Sequence, residues 1–465
     1  MRKLYLVKDR NFYKKMLTIM LPVVMQQAIN MGVNMLDTMM LGSLGEIQLS
    51  ASSLANQFYN LFTIFCMGII GGCSVLASQY WGAGQKDKVR STFTLAMYLT
   101  GGLSLLFALL TWFFPGQIMA IYTNEGPVIE AGVRYLEITA FIYLFHGTAL
   151  VSAHLMRAVQ KAHLGLIVSI VSFFVNLGAN YIFIFGKFGA PRMEIAGAAL
   201  GTLIARLAEF GVTFFYIFIK DKDLAFRPNH LLKVPEGALF RNYIRLGAPV
   251  LISDGLLSFG NTAMSMILGR MGSSVVSAYA ICSVVDRLCT VVIAGVSNAS
   301  SIITGHTIGQ GDKEKAMRQG ETFYLLSMIF GLFSSLLIFI IGPLMIHFYE
   351  LTPETVIVTN RMMRAFVVIV FFQAVQSVMT KGVLRGGGDT RFLMVADVLF
   401  LWLVSLPLGL LSGLVLQWPA WSVVLCLRAD YVIKSIWCVG RLLSGKWIHE
   451  TGGLRGRKVL LEEKK

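Results

Sequence analysis

Gly82-Ala-Gly-Gln-Lys-Asp-Lys88 returns 227 positions later as Gly309-Gln-Gly-Asp-Lys-Glu-Lys315. The same offset runs outward from this stretch. Pro22 recurs as Pro249 and Leu41-Gly42 as Leu268-Gly269, and the register holds without a gap over about 75 residues, 16–90. It continues as Tyr122/Tyr349 and Arg134/Arg361, then as Arg157/Arg385 at an offset of 228. The chain is therefore two homologous halves in tandem. In a membrane protein, such an internal repeat points to a transporter whose site lies within or between the halves.

The chain's composition puts both halves in a membrane. Of 465 residues, 55% are hydrophobic and only 14% charged, and the mean hydropathy is +0.68. A soluble domain carries about 25% charged residues. Twelve apolar runs centre near positions 29, 65, 103, 143, 175, 206, 254, 290, 330, 369, 401 and 430. Each is long enough to cross ~30 Å of hydrocarbon at ~1.5 Å per residue. The short alternating segments of a barrel are missing. The expected fold is thus all-α and polytopic, with twelve transmembrane helices in two six-helix repeats. Six is even, so both halves enter from the same side and are parallel repeats.

The distribution of Lys and Arg orients the spans. With the N-terminus in the cytoplasm, 30 of the 40 basic residues fall in inside segments. Six fall outside: Arg134, Lys187, Arg192, Arg270, Arg361 and Arg364. This bias predicts a multi-pass protein of the cell or inner membrane with both termini cytoplasmic. The net charge of +15 is topogenic, and no folded basic surface suggests nucleic acid. The expected organisation is an N-terminal six-helix lobe, 1–222, and a cytoplasmic linker, 223–240, carrying Pro228 and Pro235. A C-terminal lobe, 241–445, and a basic cytoplasmic tail, 446–465, follow.

All six cysteines lie in apolar runs and read as small buried hydrophobes, with no disulfide or metal implied. There is no phosphate-binding loop for an ATP motor and no defensible nucleophile–base arrangement, so the chain is read as a non-enzyme with no cofactor. The basic N-terminal stretch lacks a cleavage site, and the apolar run after it contains Asp37. It reads as the first span. His146 and His154, two turns apart, have no carboxylate nearby in sequence to make a metal site.

Ionisable groups inside a span are expensive, so each is a functional candidate. Asp37 has no basic residue within a helical turn. Asn176 and Asn180 share a face of the fifth run at i,i+4, and Thr202 lies at a similar depth in the sixth. A carboxylate with amide and hydroxyl oxygens suits Na⁺ or a proton; the plainer alternative for the neutral three is polar helix packing. Arg206 and Glu209 can pair at i,i+3, and Asp430 and Lys434 at i,i+4. Adjacent Asp286 and Arg287 cannot pair directly. Asp254 and Asp397 lack a local partner, and Asp254 is a candidate substrate or coupling carboxylate. Pro22, on the same helix as Asp37, is a candidate bend.

These motifs together resemble the MATE (multidrug and toxic compound extrusion) family over nearly the whole chain. They are Leu21-Pro22 with Leu36-Asp37-Thr38 and Leu41-Gly42-Ser43-Leu44-Gly45, the two Gly-x-Gly loops, and Leu384-Arg385-Gly386 with Gly388-Asp389. The stretch Asn176 … Asn180-Tyr-Ile-Phe-Ile-Phe-Gly186 … Gly197-Ala-Ala-Leu-Gly-Thr202 completes them. The resemblance implies a V-shaped two-lobe antiporter, exporting organic and often cationic, amphipathic compounds in exchange for H⁺ or Na⁺. It implies a monomer in the lipid bilayer. It also maps the DinF-like cation site onto Asp37, Asn176, Asn180 and Thr202, with the departure that position 180 is Asn where that branch has Asp. The NorM-like acidic positions fall on Leu257 and on Ala374 beside Gln373. That favours the DinF-like branch and leaves Gln373 and Asp254 as possible substrate or coupling residues. The alternative is a flippase for lipid-linked precursors. It would need a strongly basic cavity, and the spans hold only Arg206, Arg287, Arg428 and Lys434.

Overall fold

Leu- and Phe-rich runs with few charges form long helices because every backbone group can then be satisfied within its own segment. The computed structural model describes residues 5–233, 235–346 and 352–450, and these are helical throughout, with no strand. The first half holds α1 (Arg10–Gly42), α2 (Glu46–Gly82), α3 (Lys86–Phe113), α4 (Pro115–Tyr122), α5 (Gly126–Thr139), α6 (Ile142–Ala158), α7 (His163–Phe185) and α8 (Glu194–Phe215). The connection contains the single turn α9 (Pro228–Leu231). The second half holds α10 (Gly237–Arg270), α11 (Ser273–Gly309), α12 (Lys313–Ile346), α13 (Pro353–Ser377), α14 (Thr390–Phe400), α15 (Leu406–Leu410), α16 (Ala420–Leu427) and α17 (Ala429–Leu443). Wider π turns continue α8, α13, α14 and α15 without breaking the chain direction.

Among the described residues ten helical segments are long and apolar enough to cross a membrane, and α5 with α6, bent by 56°, supplies an eleventh. The twelfth expected run is present but interrupted. It is split at Arg428 into α16 and α17, of 8 and 15 residues, and it carries Arg428, Asp430 and Lys434. The basic tail beyond Glu450, and Tyr349 of the repeat, lie outside the described residues.

The glycines of the repeated loop do two separate jobs. Gly84 and Gly311 turn the chain after α2 and α11 at φ +72° and +83°, a left-handed conformation in which a side chain is strained. Gly82 and Gly309 instead permit close approach. A Cβ on Gly82 would overlap the backbone of His306, and one on Gly309 would overlap the backbone of Gln79. The ends of α2 and α11 therefore cross backbone against backbone.

By packing, the chain divides into two compact units that depart from the sequence halves at a few places. One unit comprises residues up to Val24, Ser78–Gly84 and the chain from Arg245 onward. In it Tyr5 N–H donates to Glu321 at 2.8 Å, and Phe12 packs on Phe323 with ring centroids 5.2 Å apart. The other comprises Met25–Ala77 and Gln85–Ile244. Helix α1 thus runs unbroken through Pro22 and changes packing partners two residues later. Within the second unit the polar linker is pinned down. Lys161 Nζ bridges Asp221 at 2.7 Å and Asp223 at 2.5 Å, and Leu224 and Phe226 are fully buried.

Candidate functional site

Asp37, Asn176 and Asn180 meet. The Asn180 amide Nδ2 donates to Asp37 Oδ1 at 2.6 Å and to Asn176 Oδ1 at 3.2 Å. The i,i+4 spacing on α7 places the two amides one turn apart, and α1 brings in the carboxylate. Asn176 and Asn180 are buried, whereas Asp37 is partly accessible. Thr202 does not join them by hydrogen bond: its hydroxyl donates to Ala198 of its own helix at 3.0 Å. The preceding residue makes the approach instead. A Cβ on Gly201 would overlap Asn180 Oδ1, so α8 reaches the site through bare backbone.

A second set of groups borders Asp37. On α8, Arg206 Nη1 and Glu209 Oε1 are 2.5 Å apart, as the i,i+3 spacing implies. His146 Nδ1, on α6, lies 3.3 Å from Glu209 Oε2. The His146 ring sits 5.5 Å from that of Tyr59, whose hydroxyl is beside Arg206. Arg206 is also within Coulombic range of Asp37. Asp37 has no basic neighbour along its own helix, yet it gains one across the bundle.

The second half holds its own buried polar groups. The Asp254 carboxylate, which has no local partner in sequence, is held by Arg385 Nη2 at 3.2 Å. This engagement leaves Asp254 less available for coupling than its sequence neighbourhood implies. Asp397 likewise finds a distant partner. Lys434 Nζ lies 3.0 Å from Asp397 Oδ1 and 2.9 Å from Asp430 Oδ2, and Ser253 donates to Asp397 Oδ2 at 2.5 Å. Gln373 faces Asp286. Arg428 is held by three neutral oxygens: Asn261 Oδ1 at 3.2 Å and the hydroxyls of Tyr431 and Tyr279 at 3.0 and 2.9 Å.

The two clusters are related by the repeat. Tyr59 and Asp286 are 227 positions apart, and so are His146 and Gln373. Sequence reading singled out Gln373 but passed over Tyr59 and treated His146 only as a rejected metal ligand. The offset itself was the signal that could have joined them.

As a receiver of charge, the Asp37 group suits a proton best. A Na⁺ ion needs several oxygens turned toward it. Here the Asn180 amide nitrogen occupies the space between the Asp37 and Asn176 oxygens. The nearby guanidinium opposes any added positive charge, a metal cation or a proton alike. A proton, however, adds to a carboxylate oxygen without displacing the amide. Among the described residues no three His, Cys, Asp or Glu side chains converge as metal ligands.

Comparison with known proteins agrees with this architecture. The chain is 25% identical over 447 residues to the probable multidrug resistance protein NorM of Thermotoga maritima, covering 96% of each. It is 22% identical to the multidrug resistance protein MdtK of Photorhabdus laumondii, over 86% of this chain and 88% of that one. The fold matches the bent form of the Vibrio cholerae MATE transporter VcmN with a TM-score of 0.83 at 16% identity, covering 97% and 98% of the two chains. It matches a MOP superfamily transporter from Pyrococcus furiosus with a TM-score of 0.83 at 15% identity, covering 93% and 96%. The MatE family model matches residues 22–182 and again 249–411, two segments whose starts are separated by the 227 residues of the internal repeat. The chain belongs to the MatE family of membrane transporters.

Proposed function

We propose that this protein is a secondary antiporter that exports organic, often cationic and amphipathic, compounds in exchange for protons. It acts as a monomer, with its termini in the cytoplasm and two six-span halves, 1–222 and 241–445. The relatives' names, multidrug resistance proteins NorM and MdtK, support the substrate class. The observation that carries the coupling is the chain of hydrogen bonds from Asn176 through Asn180 to Asp37. Ionised, Asp37 accepts the Asn180 N–H and feels Arg206. Protonated, it loses the stronger, charge-assisted form of that bond and its attraction to Arg206, so α1 is held less firmly against α7 and α8. Proton uptake at Asp37 therefore shifts the balance between conformations of the helix that bears it. The flippase alternative is not favoured: of the four basic side chains inside the spans, Arg206 and Lys434 are tied up in ion pairs, which leaves only Arg287 and Arg428.

The test is efflux of a fluorescent cation from vesicles containing the purified protein, with pH and Na⁺ gradients imposed separately. The pH gradient drives efflux, the Na⁺ gradient does not, and Asp37→Asn abolishes the response while the protein stays folded. Efflux at the wild-type rate in Asp37→Asn would overturn the role of Asp37. Efflux driven by Na⁺ alone would overturn the choice of ion.

A further inference from the structure

Four basic side chains of the second half are withdrawn from full exposure: Lys434 is buried, and Arg385, Arg428 and Arg441 are partly buried. Three meet carboxylates. Arg385 has Asp254 at 3.2 Å, Lys434 has Asp397 and Asp430 at 3.0 and 2.9 Å, and Arg441 has Asp389 at 2.6 Å. Arg428 has no ion pair among the described residues. Its hydrogen bonds go to Asn261, Tyr431 and Tyr279, all neutral, and the Tyr431 ring lies 5.3 Å from the guanidinium. Asp286 and Asp430 act on it only at longer, Coulombic range. Asp430 is itself committed to Lys434 and Ser405. A guanidinium inside a membrane protein is costly unless its charge is answered.

The unused donors of the side chain show where an answer would come from. A guanidinium has five N–H donors. Asn261 and Tyr431 take the two on Nη1, and Tyr279 takes one on Nη2. That leaves Nε–H and one Nη2–H, two donors free to bind a carboxylate. Arg428 itself sits in the interruption between α16 and α17, at φ −112° and ψ 15°. The first N–H groups of α17 are engaged, Asp430 N–H with Ser405 Oγ at 2.8 Å and Tyr431 N–H with the Arg428 carbonyl at 3.1 Å, so the free donors are those of the guanidinium.

We infer that Arg428, fixed by Tyr279, Tyr431 and Asn261, is a docking point for the carboxylate of an organic substrate. This rests on the transport reading above and extends it: the exported compounds include ones that carry a carboxylate as well as cations. The three neutral partners hold the fork in place without cancelling its charge, which is what a reversible anion site requires.

The experiment compares an anionic probe, carboxyfluorescein, with a cationic one, ethidium, in vesicles containing the full chain. The wild type moves both. Arg428→Gln lowers the anionic-to-cationic efflux ratio about tenfold, the effect of losing one charged hydrogen-bonding pair. Arg428→Lys, which keeps the charge but loses the fork, gives an intermediate ratio. An unchanged ratio in Arg428→Gln overturns the inference, and so does a wild type that moves ethidium but neither moves nor binds carboxyfluorescein. If Arg428→Gln does not fold, judged by gel filtration, Arg428→Lys decides, and an unchanged ratio there overturns it. If the wild type moves neither probe, the transport reading fails on its own. Equilibrium binding of carboxyfluorescein to the solubilised full chain then decides the inference: binding that Arg428→Gln weakens supports it, while binding that is absent or unaltered overturns it.

Discussion

At repeat-related positions, the first half places Tyr59 and His146 and the second places Asp286 and Gln373. Each pair looks toward an arginine from the last span of its own half. In the first half the arginine is neutralised on the spot: Arg206 and Glu209 are 2.5 Å apart, with His146 closing the far side of the carboxylate. In the second half, among the described residues, Arg428 hydrogen-bonds to neutral oxygens, and the nearby carboxylate, Asp286, faces an amide. One backbone plan thus supports a directly ion-paired network beside Asp37 and, in the other copy, a cation with carboxylates only at longer range. Duplication supplies the scaffold, and divergence at a few buried positions decides what each copy can hold.

The largest expected effect breaks the first half. Asp37→Asn should reduce proton-driven efflux by at least about a hundredfold, because the partly accessible carboxylate of the group is gone. Next comes stability. Arg206→Gln strands Glu209 in a buried site and should cost about 3–5 kcal/mol, whereas Arg428→Gln, which strands only neutral oxygens, should cost about 1–2 kcal/mol. Thermal unfolding in detergent reads the difference, and the double variant Arg206→Gln/Glu209→Gln should recover part of the larger loss. Equal losses at the two arginines would erase the comparison. Smaller still, Gly201→Ala should push Asn180 off Asp37 and lower efflux about tenfold, with folding little changed.

A last effect lies outside the spans. The Asp389 carboxyl is buried, and that burial pushes its pKa up, but hydrogen bonds from His449 and Arg441 outweigh it and hold the pKa below the ordinary aspartate range. A depressed folded pKa means the stabilisation is present above the unfolded value, near 4, and is lost as pH falls through the folded one. Asp389→Asn should therefore lower stability by about 1–3 kcal/mol at pH 7, with the gap to wild type closing as pH falls below about 4.

What could be read from the sequence follows a physical divide. Span positions, the repeat and the pairs Arg206–Glu209 and Asp430–Lys434 depend on periodicity within one helix, so local reading reaches them. The partners of Asp254, Asp397 and Glu209 lie on other helices: Arg385 is 131 residues from Asp254, and His146 is 63 from Glu209. Only packing brings these together. The same limit explains Thr202 and Gly201. Neighbours in sequence point some 100° apart on a helix, and the one facing Asn180 is the residue without a side chain. The interruption at Arg428 escaped hydropathy counting because the run around it stays apolar on average.

The glycine crossing of α2 and α11 carries a last consequence. Gly82 meets His306 and Gly309 meets Gln79, and each residue of one contact is the repeat image of a residue in the other. A surface that touches its own copy in this reciprocal way is the isologous interface of a twofold dimer. A single half-length polypeptide, paired with itself about an axis along the membrane normal, would make the same two contacts from one glycine. The crossing is therefore a joint that a self-associating six-span ancestor could have formed before the halves were fused, and in the fused chain it keeps the ends of the second and eighth spans within backbone reach.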